Sequence, residues 1–353
     1  MPFRPTPIRE LIFMTVFAIY GATGHTGRLV TTELISRGKE VVLSGRDPDA
    51  LAELAGRLPD GRGRAMPAAL DDPAALRAVA AAADVLIHCA GPFAATCEPV
   101  AVAAVEGGSH YVDHSVEVHT VKRLFDTFQE SAQRAGITML PAVSFYGGVG
   151  DLLAGAVARG VSDIERITLA YAVSNWMMTH GAVESARLLF ADTDRIGWSD
   201  GKLQLGFVEP RNAIFAFPPP VGPRNMIAPV PFPEAVTVPR HTRTQAVEAQ
   251  LTARTFEEEQ AFSSEGVAAE ARADSEFTVA AQVLGKERSA AGSVRGRDLW
   301  RVAALASVEA AVRLAEGGAK TGVASVAEAF DAAEFLAALA EREAFTLELP
   351  KQQ

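Results

Sequence analysis

Cysteine is scarce in this chain, because its 353 residues include only Cys89 and Cys97. Two cysteines are too few for a disulfide framework, and their spacing matches no common metal-binding motif. We therefore predict neither a disulfide framework nor a metal site. So little cysteine is typical of a reducing compartment, and we predict a cytoplasmic location.

Positive charge is scarce as well, since 33 Lys and Arg stand against 43 Asp and Glu, a formal net charge of −10. Binding to phosphate backbones needs a basic surface, so we expect no nucleic-acid partner.

Long apolar runs are also missing. The stretch from Leu11 to Tyr20 is too short to span a bilayer and leads directly into glycines, so we expect no membrane span. It predicts a buried first strand, with Met14 as an alternative start and residues 1–13 as a loose extension.

Several catalytic motifs are absent. No tyrosine is followed four residues later by a lysine, which disfavours the tyrosine–lysine pair of ordinary short-chain dehydrogenases; the tyrosines are Tyr20, Tyr111, Tyr146 and Tyr171. The motifs H-E-x-x-H and G-x-S-x-G are missing too, so the sequence gives no support to a zinc protease or a serine hydrolase.

What is present is an alternation of strand-like and helix-like segments from Thr15 to Phe145. This alternation predicts a doubly wound parallel sheet with helices on both faces. After about Gly150 the pattern changes to longer strands and hairpin turns, such as the one predicted at Asp200-Gly201. We therefore predict an α/β protein with an N-terminal doubly wound domain over residues 14–148. The remainder, residues 149–353, is predicted to form an α+β substrate or dimerisation domain with a largely antiparallel sheet.

A Pro-rich segment, residues 217–239, interrupts the second part. Its eight prolines predict that it forms neither a regular helix nor a central strand. Two interpretations stay open: a lid or dimer arm, or an extended surface connection.

The stretch FAIYGATGHTGRLV carries the main functional signal. Gly21, Gly24 and Gly27 stand between a predicted strand and a predicted helix, where bare backbone and free N–H groups suit a pyrophosphate. The alternative is a simple tight turn, but the strand, helix and continuing alternation favour a dinucleotide site. Its predicted residues are Gly21, Thr23, Gly24, His25, Thr26 and Gly27.

The second strand ends in SGRD, which bears on the choice of dinucleotide. Instead of the acidic residue usual at an NAD site, this strand ends with Ser44 and Arg46, and an arginine suits a 2′-phosphate. We predict NADP(H) in preference to NAD(H). The alternative gives the acidic role to Asp47, although Asp47-Pro48 is typical of a helix cap.

The fourth strand leads into HCAGPF, where Ala90, Gly91 and Pro92 are predicted to lie near the nicotinamide half of the cofactor. Proton donors are expected beyond the next strands. We rank His114 first, because imidazole titrates near neutrality, then Tyr146, then Asp113. Structural interpretations stay open, since Asp113 also suits a helix cap.

The motifs GATGHTG, SGRD, AGPF and YVDHSVE occur in this order, followed by LPAVSFYGGVGDL. Together they resemble the saccharopine dehydrogenase-like oxidoreductases, a group that in bacteria includes trans-acting enoyl reductases. The resemblance covers roughly residues 14–190. It departs at His114-Ser115-Val116, where the family typically has Leu-Thr-Gly, and over residues 144–151, where it typically has GFDSVPSD. Because a substrate would sit there, no substrate is carried over from the family.

The resemblance implies a Rossmann-type domain for NADP(H), a second domain over the nicotinamide, often a homodimer, and a C-terminal helix that returns to the first domain. It implies an NADP(H)-dependent oxidoreductase that reduces an activated C=C or C=N bond of a small organic substrate. A redox sensor that binds NADPH without turnover is the alternative.

Overall fold

A computed structural model of the chain describes residues 15–191, 195–206, 208–258, 261 and 267–351. The extension predicted at residues 1–13 lies outside these described residues. Within the described ranges, no helix combines the length and the apolar character needed to cross a membrane.

Strands and helices alternate through the first part of the chain. In order they are β1 (Val16–Tyr20), α1 (His25–Ser36), β2 (Glu40–Ser44), α2 (Pro48–Gly56), β3 (Gly63–Ala65), α3 (Pro73–Ala81), β4 (Val85–His88), α4 (Phe93–Gly107), β5 (His110–Asp113), α5 (Val118–Ala135) and β6 (Thr138–Leu140).

The second part mixes longer strands with helices. In order they are α6 (Gly150–Ala158), β7 (Ile164–Ser174), α7 (His180–Ala191), β8 (Ile196–Ser199), β9 (Lys202–Leu205), β10 (Arg211–Ala216), β11 (Pro223–Ala228), α8 (Glu234–His241), β12 (Val247–Thr252), α9 (Ala253–Glu257), α10 (Ala269–Arg272), β13 (Glu276–Gly285), β14 (Ser289–Arg297), α11 (Leu299–Glu316), β15 (Gly322–Val323), α12 (Val326–Ala329), α13 (Ala332–Glu341) and β16 (Thr346–Glu348).

The first sheet has seven parallel strands in the order β15-β6-β5-β4-β1-β2-β3. Strand β1 lies inside it, and its residues Phe17 to Tyr20 are buried. Alternate side chains of β1 enter two separate cores. Phe17 and Ile19 belong to one core, and Ala18 and Tyr20 belong to the other. The predicted doubly wound sheet is confirmed, and the strand order reverses between β1 and β4, where such sheets bind ligands.

The chain returns to this sheet near its end. Helix α11 packs against α1, β4 and β5, and β15 pairs in parallel with β6. The last helix, α13, packs on α6 instead. The division that we predict between residues 148 and 149 stays a prediction, and the structure adds that residues 299–323 lie against the first sheet.

The second sheet runs in the order β10-β11-β12-β7-β13-β14-β16, with β8 and β9 attached beside β12. Its pairs are antiparallel except that of β12 with β7, so the predicted largely antiparallel sheet is confirmed. The predicted hairpin is also present, because β8 pairs with β9 and Asp200 and Gly201 take φ angles of 54° and 68° at the turn.

The prediction for the Pro-rich segment was wrong. Strand β11 pairs with β10 on one side and β12 on the other, and α8 follows a few residues later. Pro223 occupies the first position of β11, and residues 224–228 contain no proline, so their N–H groups are available to the sheet. In α8, Pro239 lies two residues before the helix ends. The prolines therefore lie mainly beside β11 and α8, and they do not prevent these elements from forming.

The packing of α1 on the sheet generates a first prediction. A Cβ on Gly27 would stand 2.2 Å from the carbonyl oxygen of Gly21 and 2.8 Å from the Cα of Ala22, which are backbone atoms with little freedom to move. We predict that Gly27→Ala lowers the free energy of unfolding by about 1–3 kcal/mol.

Gly56 provides the matched control. It ends α2, and an added Cβ there would have nothing within 4 Å. Gly56→Ala should leave stability unchanged or raise it by up to about 1 kcal/mol. Chemical denaturation measures both variants, and an equal loss in the two would contradict the prediction.

Candidate active site

The glycine turn after β1 is fixed by backbone hydrogen bonds. The N–H groups of Gly21 and Ala22 donate to the carbonyl oxygen of Ser44 at 2.9 and 3.1 Å, which ties the turn to the end of β2. Gly21 has a φ of +86°, and a Cβ there would lie 2.9 Å from Ala90 in the loop after β4. The turn therefore requires glycine both for its conformation and for its close packing.

Helix α1 begins directly after this turn without a side-chain cap. Its N-cap residue is Gly24, which makes no capping hydrogen bond. By contrast, the Asp47 side chain accepts from two N–H groups of α2, and Asp72 caps α3. The N–H groups at the start of α1 are thus left for an anion. The Asp47 carboxylate is therefore engaged as the cap of α2.

A cavity of about 720 Å³ opens at this turn, at the carboxyl ends of the first sheet. It extends to the second sheet and to α7 and α11. Of the predicted site residues, those that line it are Gly21, Thr23, Gly24, His25, Thr26, Arg46, Ala90, Gly91, His114 and Tyr146. The structure therefore brings together the two regions that the sequence predicted separately, the cofactor residues and two of the candidate proton donors.

Four predicted residues are not among those lining the cavity: Gly27, Ser44, Pro92 and Asp113. Gly27 lies under the turn, where it lets α1 approach the sheet. Ser44 contributes its backbone carbonyl rather than its hydroxyl, and Pro92 is the N-cap residue of α4. These three residues support the site without facing it.

Asp113 is buried in a hydrogen-bond network at the end of β5. Its Oδ1 accepts from the N–H groups of Ser115 and Ala142, both at 2.8 Å, and its Oδ2 accepts from the Tyr111 hydroxyl at 2.9 Å. The Cys97 thiol donates to Oδ2 as well, at 3.4 Å. We therefore assign Asp113 the task of joining β5 to the loop after β6. The helix cap that the sequence also suggested is not formed, since Ser115 and Ala142 are the residues it binds.

His114 and Tyr146 line the cavity from neighbouring loops. Neither ring nitrogen of His114 has a partner among the described residues, and the same holds for the Tyr146 hydroxyl. Burial lowers the pKa of His114 to about 4, so its ring is neutral at pH 7. Burial, with a smaller effect of Glu234, raises the pKa of Tyr146, which keeps its phenol protonated. The reason for ranking His114 first, titration near neutrality, therefore does not apply in this setting.

Trp176 is a third polar group at this end of the cavity, and its Nε1 has no partner among the described residues. Trp176 was not predicted as a site residue, although tryptophan is rare in the chain, with three residues. Apolar side chains surround this end; they are Phe145, Met178, Leu189, Phe190, Phe232, Leu251, Phe256 and Leu299. The far end of the cavity is therefore an apolar pocket with a few isolated hydrogen-bonding groups.

Glu117 links the two halves of the cavity wall. Its Oε1 accepts from the N–H of Phe93 at 2.9 Å and from the hydroxyl of Ser185 at 2.8 Å. Phe93 is the first residue of α4, and Ser185 belongs to α7. An added Cβ on Gly181 would lie 3.5 Å from the carbonyl oxygen of Gly91, so α7 lies close against the loop after β4.

Glu234, at the start of α8, is fully buried behind Tyr146. Its Oε1 accepts from the Tyr171 hydroxyl and, at 3.2 Å, from the N–H of Gly147, the residue after Tyr146. Its Oε2 has no partner in the described chain. Burial raises the pKa of Glu234 to about 7, an effect that Tyr171 and Gly147 oppose. One sign of this residue is visible in the sequence, where an acid stands within an apolar, Pro-rich segment.

The fold and the glycine-turn cavity define an α/β protein with two sheets, of the dinucleotide-binding class. Residues 17–140 match the family model described as the saccharopine dehydrogenase NADP-binding domain. The predicted resemblance is thereby confirmed.

Two curated relatives match part of the chain. A probable mitochondrial saccharopine dehydrogenase-like oxidoreductase of Arabidopsis thaliana is 28% identical over 155 residues, which are 40% of this chain and 33% of that protein. A trans-acting enoyl reductase of Mycobacterium tuberculosis is 29% identical over 133 residues, 36% of this chain and 31% of that protein. The match thus spans about a third of the length of each relative.

The solved structure of saccharopine dehydrogenase (L-Glu forming) from Saccharomyces cerevisiae, in its apo form, matches 96% of this chain and 100% of that chain with a TM-score of 0.64. Its sequence identity is 11%, so the likeness shows a shared fold. The shared fold extends over nearly the whole chain, whereas each of the two curated relatives matches less than half of it.

The environment of Glu234 predicts a pH-dependent stability. A carboxyl whose pKa is raised from 4.5 to about 7 on folding stabilises the folded state most below the lower value, and this advantage is lost as pH rises through the higher one. In Glu234→Gln the loss should be absent. We expect the variant to gain stability relative to the wild type between about pH 5 and pH 8, by on the order of 3 kcal/mol.

Urea unfolding at a series of pH values measures this difference. Glu165→Gln, a change at an exposed position of β7, is the control and should follow the wild-type curve. A constant difference between Glu234→Gln and the wild type across this range would contradict the prediction.

Proposed function

We propose that this chain is an NADP(H)-dependent oxidoreductase that reduces an activated C=C or C=N bond of a small organic substrate by hydride transfer. One observation carries the proposal. A single cavity joins the uncapped start of α1, within a domain of an NADP-binding family, to an apolar pocket with three unpartnered polar side chains.

The residues at the cofactor end fit a dinucleotide. The glycine turn exposes backbone beside free helix N–H groups, which suits a pyrophosphate. Arg46 lines the cavity beyond β2, is exposed, and has no ion pair with a described carboxylate, so its guanidinium is available to a 2′-phosphate. Asp47 is occupied as a helix cap. These features favour NADP(H) over NAD(H), and the bound reduced cofactor would supply the hydride.

The charges around the cavity favour an uncharged substrate. Among the described lining residues, the acidic and basic side chains apart from histidine are Arg46 and Asp71, which follow β2 and β3. Strands β2 and β3 lie on the side of β1 away from β4, and so away from the pocket of His114 and Tyr146. A substrate with carboxylates would find no lysine or arginine there among the described residues. An apolar molecule with a C=C bond conjugated to a carbonyl group fits better than a C=N bond between amino acids.

Tyr146 is the group best placed to assist the reaction. Hydride addition to a conjugated C=C bond moves negative charge onto the carbonyl oxygen of the substrate. The Tyr146 hydroxyl has no partner in the described chain, and its raised pKa keeps the proton on the phenol. It can therefore donate a hydrogen bond to that oxygen and hold its own proton. A neutral His114 can donate a second bond from one ring nitrogen.

Arg46→Ala tests the cofactor assignment. Loss of a charged hydrogen-bonding partner should weaken NADPH binding about 10–100-fold, while NADH binding stays within about 2-fold. Fluorescence titration with each nucleotide measures both constants. Arg57→Ala, at the exposed C-cap position that follows α2 and outside the cavity, is the control. An equal loss for the two nucleotides would remove the phosphate contact from the proposal.

Tyr146→Phe tests the chemistry. We expect kcat to fall about 100–1,000-fold with NADPH affinity unchanged, because the variant loses one hydrogen bond to the developing charge. NADPH absorbance reports turnover with a panel of neutral enones, neutral imines, and 2-oxo acids mixed with amino acids. Neutral substrates should be turned over and the charged mixtures should not. Tight NADPH binding without turnover of any member would favour the redox-sensor alternative.

A further inference from the structure

A second cavity, of about 610 Å³, lies on the second sheet. Its floor includes Ala172 and Thr278, which are cross-strand neighbours in β7 and β13, and Thr278 in turn pairs with Arg295 of β14. The adjacent residues Tyr171 and Val294 belong to the main core. Since successive side chains of a strand point to opposite faces, this cavity lies on the sheet face turned away from the candidate active site.

The shape of this cavity follows from side-chain size. The floor carries small side chains, such as Ala172, Ser174 and Thr278, on the central strands β7 and β13. Arginines stand on the outer strands, Arg224 on β11 and Arg295 on β14. The two outer strands are four strand spacings apart, which is about 19 Å. Long side chains on both sides of a low floor form a groove, which we call the arginine groove.

The charge of the arginine groove is unusual for this acidic chain. Four arginines line it, Arg224, Arg254, Arg295 and Arg297, against Glu257 and Glu276. The formal net charge of the whole chain is −10, so the surplus of positive charge is local.

The four arginines differ in whether a carboxylate of the protein already pairs with them. Arg254 pairs with Glu258 at 2.8 Å, and Arg297 approaches its acidic neighbours at 3.8 and 3.9 Å. Arg224 and Arg295 have no ion pair with a carboxylate in the described part of the chain; the Arg224 guanidinium donates to the carbonyl oxygen of Pro223. One guanidinium without a carboxylate partner therefore stands on each side of the groove.

We propose that the arginine groove binds a small molecule with two anionic groups, carboxylate or phosphate, one held by Arg224 and one by Arg295. Guanidinium groups pair with both kinds of anion through two parallel hydrogen bonds. The hydroxyls of Ser174 and Thr278 add donors along the floor. This site is separate from the proposed active site, so it can be tested whether or not that proposal holds.

Isothermal titration of the full chain with citrate and with inorganic pyrophosphate tests the proposal. We expect at least one of them to bind the wild type, and the double variant Arg224→Ser/Arg295→Ser to bind it at least about 10-fold more weakly. Arg166→Ser is the matched control, because Arg166 is exposed on the same face of β7 but does not line the groove. It removes one arginine charge and should keep the wild-type affinity.

Other results would overturn the proposal. Absence of heat with both anions is one, and equal weakening in Arg166→Ser, which would indicate a general charge effect, is another. A pyrophosphate signal that Arg46→Ser removes and the double variant keeps would locate the anion at the glycine turn instead. Sedimentation measures whether the wild type is a dimer and the double variant a monomer. If it is so, and neither anion binds the wild type, the groove is an interface between copies of this chain and the proposal is overturned.

Thermal unfolding establishes that the double variant is folded. If it is not, the single variants Arg224→Lys and Arg295→Lys are titrated, since they keep the charge and lose the paired hydrogen bonds. Each should bind the anion more weakly than the wild type, and wild-type affinity in both would overturn the proposal.

Discussion

The architecture depends on one close contact, the approach of Gly27 in α1 to the carbonyl oxygen of Gly21. This contact sets the first helix directly over the end of β1, so that its uncapped N–H groups face the crevice where the strand order reverses. The Ser44 carbonyl holds the turn from the other side. A side chain at this crossing would move the helix away from the sheet, and the same free N–H groups would no longer meet at one point.

Segments that are distant in sequence complete the cavity that this contact begins. Trp300 of α11 stands edge-on to His25, with ring centroids 5.6 Å apart, and its Nε1 donates to the carbonyl oxygen of Met177. Glu117 holds α7 against the start of α4. The second half of the chain therefore supplies one wall of the cavity that opens at the glycine turn. A change in the position of α7 would alter both ends of the site.

Features that depend on neighbouring residues were predictable from the sequence. The glycine turn, the Asp47 cap and the strand–helix alternation each follow from residues a few positions apart. The hydrogen-bond network of Asp113 was not predictable, because its partners include the N–H of Ala142, which follows a different strand, β6. The same reason applies to Glu234, which reaches Gly147 across a long sequence separation. Such contacts between distant segments decide which buried polar atoms stay without a hydrogen-bond partner. Local sequence patterns do not contain this information.

The two candidate proton donors in the buried part of the site are uncharged near pH 7, and this restricts its chemistry. Desolvation lowers the pKa of His114 and raises that of Tyr146, so both are uncharged, and Glu234 behind them is close to its midpoint. A charged substrate would have to give up its hydration to enter without meeting an opposite charge. In the reaction that we propose, a neutral substrate avoids that cost until hydride transfer creates charge, and at that moment neutral hydrogen-bond donors become most useful. The absence of paired charges at this end of the described cavity thus favours stabilisation of the transition state over binding of an ion.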